Sequence, residues 1–151
     1  MIQISTRGRY ALRALIDLAL HDADEGLVLR RDIAARQEIS ADYIAQLFRR
    51  LRAVGLIEGV KGPGGGYRLA RDAAAIRVGD VLRAVEGPVA VAHCTIPGSE
   101  SSCNRVDRCV TRLLWQRLSE TMTEFLDSVT LKDLCDEERQ LSTASSRVMR
   151  L

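Results

Sequence analysis

Residues 40–69 read SADYIAQLFRRLRAVGLIEGVKGPGGGYRL, and this stretch decides the fold. Ser40 is placed to cap a helix that Gly55 stops. Between them Ile44, Leu47, Phe48, Leu51 and Val54 recur every three or four residues, the spacing of one helical face turned to a core. The opposite face presents Asp42, Ala45, Gln46 and Arg49, with Arg50 and Arg52 at its edges. Residues 56–60 then read as a strand and residues 67–69 as its return. Lys61-Gly62-Pro63-Gly64-Gly65-Gly66 between the two is a glycine-rich hairpin tip.

On the N-terminal side, Tyr10, Ala11, Ala14, Leu15, Leu18 and Ala19 fall at helical spacing, with Ser5 or Thr6 placed to cap the start. Asp24-Glu25-Gly26 marks a turn. Residues 29–37 read as a short second helix with Ile33 and Ala34 inward. Three helices followed by a two-stranded wing is the order of a winged helix-turn-helix. Chemistry agrees with topology. Gln46 can pair bidentately with adenine in the major groove, and Arg49 or Arg50 can reach guanine or phosphate. Lys61 rides on glycines that let backbone come close to phosphate or the minor groove. Any one of these residues also fits a solvated charged face; their combination is what predicts DNA binding. The candidate DNA contacts are Thr6 and Arg9 at the start of the first helix, Asp42, Tyr43, Gln46, Arg49 and Arg50 on the third, and Lys61 and Gly64 on the wing.

On the C-terminal side, residues 76–86 read as a further helix, with Val78, Val81 and Leu82 inward and Gly87-Pro88 as its end. Cys94, Cys103 and Cys109 follow, spaced C-x8-C-x5-C within sixteen residues of polar, turn-forming sequence. An irregular loop of this kind can wrap three thiolates around one soft centre. Arg105, Arg108 and Arg112 lie among or just after the thiols, and positive charge there favours the thiolate. Three readings stay open: a cluster of iron and sulfide, a zinc site, and a clusterless thiol switch. Structural zinc wants four ligands, commonly paired at short spacing, and here only His93 stands near the three thiols. From about residue 107 to 129 a long helix carries Val110, Leu114, Leu118, Phe125 and Val129 on one side, a stripe suited to burial between two subunits. Trp115 is expected in the same contact or in the joint to the domain before it. Thr130 can cap a last short helix over residues 131–135, with Cys135 as a packed core thiol. His21, ending the first helix, is assigned no chemistry.

At 151 residues, with 46% hydrophobic and 28% charged residues, the chain can bury one domain with an added helix. Aromatics make up only 4%, which suits a helical, Ala/Leu-packed protein. Net charge is +2, but residues 1–89 carry 14 Lys/Arg against 11 Asp/Glu, whereas residues 90–151 carry 8 against 9. The mild basic bias therefore falls on the DNA-reading half. The apolar run over residues 10–20 is broken by Arg13 and Asp17, so no signal peptide or membrane span is expected, and a cytoplasmic location follows. Reduced thiols in that compartment argue against a disulfide framework. Paired carboxylates, a nucleophile–base pair and a phosphate loop are all missing, so no enzyme is expected. The expected organisation is a DNA-binding domain over 1–89, a cysteine loop over 90–109, a dimerisation helix with a short capping helix over 107–135, and a polar, disordered tail over 136–151.

STRGRYAL at residues 5–12, YIAQLFRRLR followed by GLI at 43–57, KGPGGGY at 61–67, and three cysteines ahead of LWQRL at 114–118 together resemble the family of the iron–sulfur cluster biogenesis regulator. Its relatives include nitric-oxide-sensing and iron-responsive repressors and a repressor of cysteine metabolism. The resemblance covers about residues 1–134. It implies a mainly α fold, a winged helix-turn-helix domain with a two-stranded wing plus a long C-terminal dimerisation helix. It also implies a homodimeric repressor on a palindromic operator in double-stranded DNA, controlled by a cluster that senses iron, oxygen, nitric oxide or redox state. Cys94, Cys103 and Cys109 take the cluster-ligand role, Gln46 the base-reading role, and Lys61 that of a basic wing residue. Two positions depart from the pattern. Ala45 stands where the best-known member has glutamate, and Arg112 stands where it has a histidine ligand. The fourth ligand is then His93, Glu100, Asp107, a side chain of the other subunit, or solvent. A [4Fe–4S] cluster tolerates three protein thiolates better than a [2Fe–2S] cluster does, so [4Fe–4S] is the expected cofactor and [2Fe–2S] the other.

Overall fold

The computed structural model describes residues 2–99 and 103–148. Helix α1 (Thr6–Glu25) starts where Ser5 Oγ accepts from the Gly8 N–H and ends at Gly26, whose φ of 79° lets the chain leave the helix. Its buried face is Ala11, Ala14, Leu15, Leu18 and Ala19. Helix α2 (Arg30–Gln37) contributes Ile33, and α3 (Ala41–Ala53), capped by Ser40, contributes Ile44, Leu47, Phe48 and Leu51. These side chains meet in one core, which burial from water stabilises. The fifth member of the expected α3 stripe falls outside it. The helix ends at Ala53, so Val54 is 49% exposed.

One buried charge organises the first two helices. Asp17, only 3% exposed, receives two guanidinium bonds from Arg36 (Nη2 to Oδ1, 2.7 Å; Nε to Oδ2, 3.0 Å) and one from Gln37 Nε2 at 2.9 Å. Its carboxylate is therefore fully engaged, as a buried charge must be.

Strands β1 (Ile57–Val60) and β2 (Gly66–Leu69) pair antiparallel, Ile57 opposite Leu69 and Val60 opposite Gly66. Tyr67 also exchanges both backbone bonds with Val28 at 2.8 Å, so the wing is anchored to the loop before α2. Its ring meets Phe48 edge-on, centroids 4.9 Å apart. A Cβ on Gly66 would lie 2.8 Å from the Val28 carbonyl oxygen, so this anchor requires glycine.

Helix α4 (Val78–Glu86) closes the domain, and Gly8 lets α1 approach it closely. A polar segment with short three-ten turns at His93–Thr95 and Val106–Arg108 leads to α5 (Val110–Ser128). Helix α5 begins three residues later than the periodicity predicts, because Val106–Arg108 turns separately. Two side-chain attachments hold it, one to the winged domain and one to the segment before Cys94. Near its end, Arg83 grips Asp127 (Nη2 to Oδ1, 2.8 Å; Nη1 to Oδ2, 3.3 Å) and also reaches Asp80. Near its middle, the buried Ser119 Oγ accepts from the Val91 N–H at 3.1 Å.

The last helix corrects one expectation. Thr130 caps α6 as expected, exchanging bonds with Asp133 (N–H to Oδ2, 2.8 Å; Asp133 N–H to Thr130 Oγ1, 3.2 Å). But α6 runs Leu131–Val148 rather than stopping at Cys135. Residues 136–148 are polar without being irregular, and the rest of the expected tail, 149–151, lies outside the described residues. Lys132 and Arg139 both pair with Asp136, one turn on either side, and no Gly or Pro interrupts the run.

Candidate functional site

Helix α3 presents two faces, as its stripe predicts. Asp42, Gln46, Arg49 and Arg50 are exposed, opposite the buried Ile44, Leu47, Phe48 and Leu51. Tyr43 is half-buried, its ring edge-on to Tyr10 at 6.1 Å, with the Arg13 guanidinium 5.3 Å from the Tyr10 centroid. The start of α1 flanks this helix. Ser5, Thr6, Arg7, Tyr43 and Glu86 line one depression, and Arg9 Nη2 donates to Thr6 Oγ1 at 3.1 Å. Thr6 and Arg9 thus stand beside α3, although they lie some 40 residues earlier in the chain.

The wing stands on the other flank. Lys61 is exposed at its tip, where Gly62 (φ 92°) and Gly64 (φ 73°) adopt backbone that other residues rarely do. A groove of about 510 Å³ runs between wing and helices, lined by Arg30, Arg31, Arg52, Lys61 and the wing glycines. Four cations therefore converge where the sequence singled out only Lys61 and set Arg52 at an edge. The Arg30-Arg31 doublet opening α2 was the signal for the others. Arg68 adds nothing to this face, because Glu58 Oε2 holds it at 2.9 Å. The groove, the α3 face and the start of α1 make one polar, cation-bearing surface suited to a phosphate backbone.

The cysteines lie apart from that surface. Cys94 is half-buried on the turn His93–Thr95, Cys103 is exposed, and Cys109 is the residue from which α5 starts. All four cysteines are free thiols. The surroundings of Cys109 favour its thiolate. The Thr111 hydroxyl, 3.1 Å from its sulfur, then the Arg112 and Thr111 backbone N–H groups and the Arg105 charge hold its pKa below the ordinary thiol value. Arg112 Nε donates to the Cys94 carbonyl at 3.1 Å. Of the fourth-ligand candidates, His93 and Asp107 are exposed and Glu100 lies outside the described residues. Among the described residues, no three His, Cys, Asp or Glu side chains stand together as a metal-holding group. Cys135 is buried, and burial pushes its thiol pKa up, as a core cysteine requires.

Helix α5 turns its apolar stripe outward. Val110 is 76% exposed, Leu114 53% and Phe125 65%, with Leu113 and Trp115 also open, while Leu118 is partly covered. Val129 belongs to the joint with the winged domain, its carbonyl accepting from the Val78 N–H at 2.9 Å. The side of α5 that faces its own chain carries Ser119 and Thr123, whose hydroxyls bond back to the helix. Among the described residues, no helix is long and apolar enough to cross a membrane.

A family model for iron-dependent transcriptional regulators, Rrf2, matches residues 4–137. The helix-turn-helix-type transcriptional regulator IscR of Yersinia enterocolitica is 44% identical over 143 residues, 95% of this chain and 85% of that protein. That of Xenorhabdus nematophila matches to the same extent. Among solved structures, T. potens IscR superposes with a TM-score of 0.74 at 37% identity, covering 91% of this chain and 88% of that one. CymR, the global cysteine regulator of B. subtilis, does so at 0.73 and 35%, covering 91% and 98%.

Proposed function

The chain belongs to the Rrf2 family of iron-dependent transcriptional regulators, and from that premise we propose that it is a cytoplasmic, dimeric, DNA-binding repressor whose operator affinity is set by an iron–sulfur cluster. It is a helix-turn-helix transcriptional regulator and not an enzyme. The observation that carries the finer reading is the position of the cysteines. Three free thiols share the single connection between the DNA-reading domain and the outward-facing helix α5. Three soft thiol donors, none in a disulfide, on irregular backbone suit iron–sulfur chemistry, so Cys94, Cys103 and Cys109 would hold the cluster. The donor count favours [4Fe–4S], with [2Fe–2S] as the other form. When bound, the cluster supplies one-electron chemistry and sensitivity to oxygen, nitric oxide or iron supply.

The protein's own part is electrostatic and mechanical. Arg105 and Arg108 offset the thiolate charge. The loop gains order when its thiols share one centre, which alters how α5 sits against the winged domain. Gln46 and the α3 arginines read a half-site, Lys61 and the groove cations grip phosphate, and the two-fold axis of a dimer matches a palindromic operator.

Anaerobically purified protein, examined by visible absorption and by gel shift of a palindromic promoter fragment, tests this. Coloured protein that shifts the fragment is expected, with Cys94→Ala, Cys103→Ala and Cys109→Ala each colourless and Cys135→Ala still coloured. A coloured Cys103→Ala protein would count against the ligand set. The ungathered thiols favour a second reading, a clusterless thiol switch, which colourless parent protein with oxidant-dependent DNA binding would establish.

A further inference from the structure

Helix α5 holds the Cys94 segment at three points. Ser119 Oγ accepts from the Val91 N–H at 3.1 Å and lies 3.5 Å from Thr95 Oγ1, and Arg112 Nε donates to the Cys94 carbonyl at 3.1 Å. Arg112 stands in the first turn of α5, where its own N–H donates to the Cys109 carbonyl at 3.2 Å. One residue therefore joins the turn that Cys109 opens to the turn that carries Cys94. Cys103 is placed differently. It is exposed, and its carbonyl accepts from Val106 within the same loop.

We propose that Arg112 is a positioning residue of the cysteine site. It ties the Cys94 turn to the Cys109 turn before any cofactor is present, so that two thiols are docked on α5 and Cys103 is the ligand the loop delivers. The idea rests on the reading that these three thiols share a centre. Its chemistry is that of a guanidinium: permanently charged, rigid, a strong donor to a carbonyl, and no soft ligand. The bond is half-buried, so water competes with it poorly. Pre-docking two donors leaves only one loop closure to be completed on binding, which lowers the entropy cost of assembling the site.

Full-length, reduced, cofactor-free protein treated with N-ethylmaleimide, with the rate at each cysteine read by peptide mass spectrometry, tests the tie directly. Arg112→Met should speed Cys94 alkylation about tenfold, the opening that a lost charge-assisted hydrogen bond permits, and leave Cys103 and Cys135 unchanged. Arg112→Lys, which keeps a charged donor, should recover most of the protection. Amide exchange at Val91 and Thr95 should quicken in Arg112→Met alone. Given iron and sulfide anaerobically, Arg112→Met should load cluster more slowly than the parent and Arg112→Lys. Equal Cys94 rates in parent and Arg112→Met, or a lysine variant as unprotected as the methionine one, would overturn the proposal. Parent protein that takes up no cluster would remove the cofactor reading, while the alkylation rates still decide the tie. Should Arg112→Met lose helix content by circular dichroism, Arg112→Leu, which also lacks a donor, carries the same comparison.

Discussion

Gly79 opens α4 beneath Asp127, and substituting it tests the joint through which the long helix is fixed to the DNA-reading domain. A Cβ there would overlap Asp127 Oδ1 and come within 2.9 Å of Arg83 Nη1. Gly79→Ala therefore cannot be accommodated with the Arg83–Asp127 pair intact. The pair is bidentate, but its side chains are 34% and 26% exposed, so its loss is worth about 1–2 kcal/mol rather than the larger figure of a fully buried pair. Forcing Asp127 out of a packed joint adds about 1 kcal/mol, while alanine's better helix propensity returns up to about 1 kcal/mol. Gly79→Ala alone should thus destabilise by about 1–3 kcal/mol. In an Asp127→Ala background the obstruction is gone, and the same change should be neutral or stabilising by about 0.5 kcal/mol. The coupling is then about 2 kcal/mol, readable as a double-mutant cycle in urea denaturation at one fixed protomer concentration. Equal costs of Gly79→Ala in both backgrounds would show that Asp127 is not what the glycine accommodates.

Three further outcomes are expected. Gln46→Ala should relax preference at one operator position at a cost of roughly 1–3 kcal/mol, whereas Lys61→Ala should weaken all sequences alike and lower the salt slope by about one; titrations of matched and mismatched fragments at several salt concentrations separate the two. Phe125→Glu and Leu118→Glu should give monomers of little operator affinity by analytical ultracentrifugation, the first more sharply because Phe125 is 65% exposed, and a monomeric parent would refute the role of this face. Burial raises the Cys135 pKa, so the unfolded chain ionises this thiol first: the stability it contributes is full below the ordinary thiol value of 9.0 and falls as pH rises through it, a decline that Cys135→Ala should remove from the pH dependence of thermal unfolding.

The winged domain was legible because its signals are local. Ser40 and Gly55 bracket α3, the apolar residues between them repeat at helical spacing, and six residues with four glycines can only turn a hairpin. The cysteine loop was legible as composition. What escaped was long-range or hidden by polarity. Arg112 follows Cys94 by eighteen positions and Asp127 follows Arg83 by forty-four, and no period links such partners. Nothing local sets Arg30 and Arg31 apart; only the folded wing brings Lys61 to the groove they line. The hydrophilic second half of α6 hides its helix, although Lys132, Asp136 and Arg139 are spaced to brace one. The apolar stripe of α5 is legible from its spacing, but its inner face is not, because serine and threonine can pack a helix when their hydroxyls bond to its own carbonyls.

Helix α5 is fastened through Arg112 and Ser119 to the segment that carries Cys94 and through Asp127 to Arg83, so it behaves as a lever when that segment shifts with it. Arg112 and Asp127 are about 22 Å apart along the axis at the usual helical rise. With the Arg83–Asp127 grip as fulcrum, a 1 Å shift at the cysteine end turns the helix by about 2–3° at that spacing. A helix is stiff over this length, so little of the displacement is lost in bending. Two such levers facing each other across a two-fold axis would open or close the span between their DNA-reading ends by twice the angle either one turns.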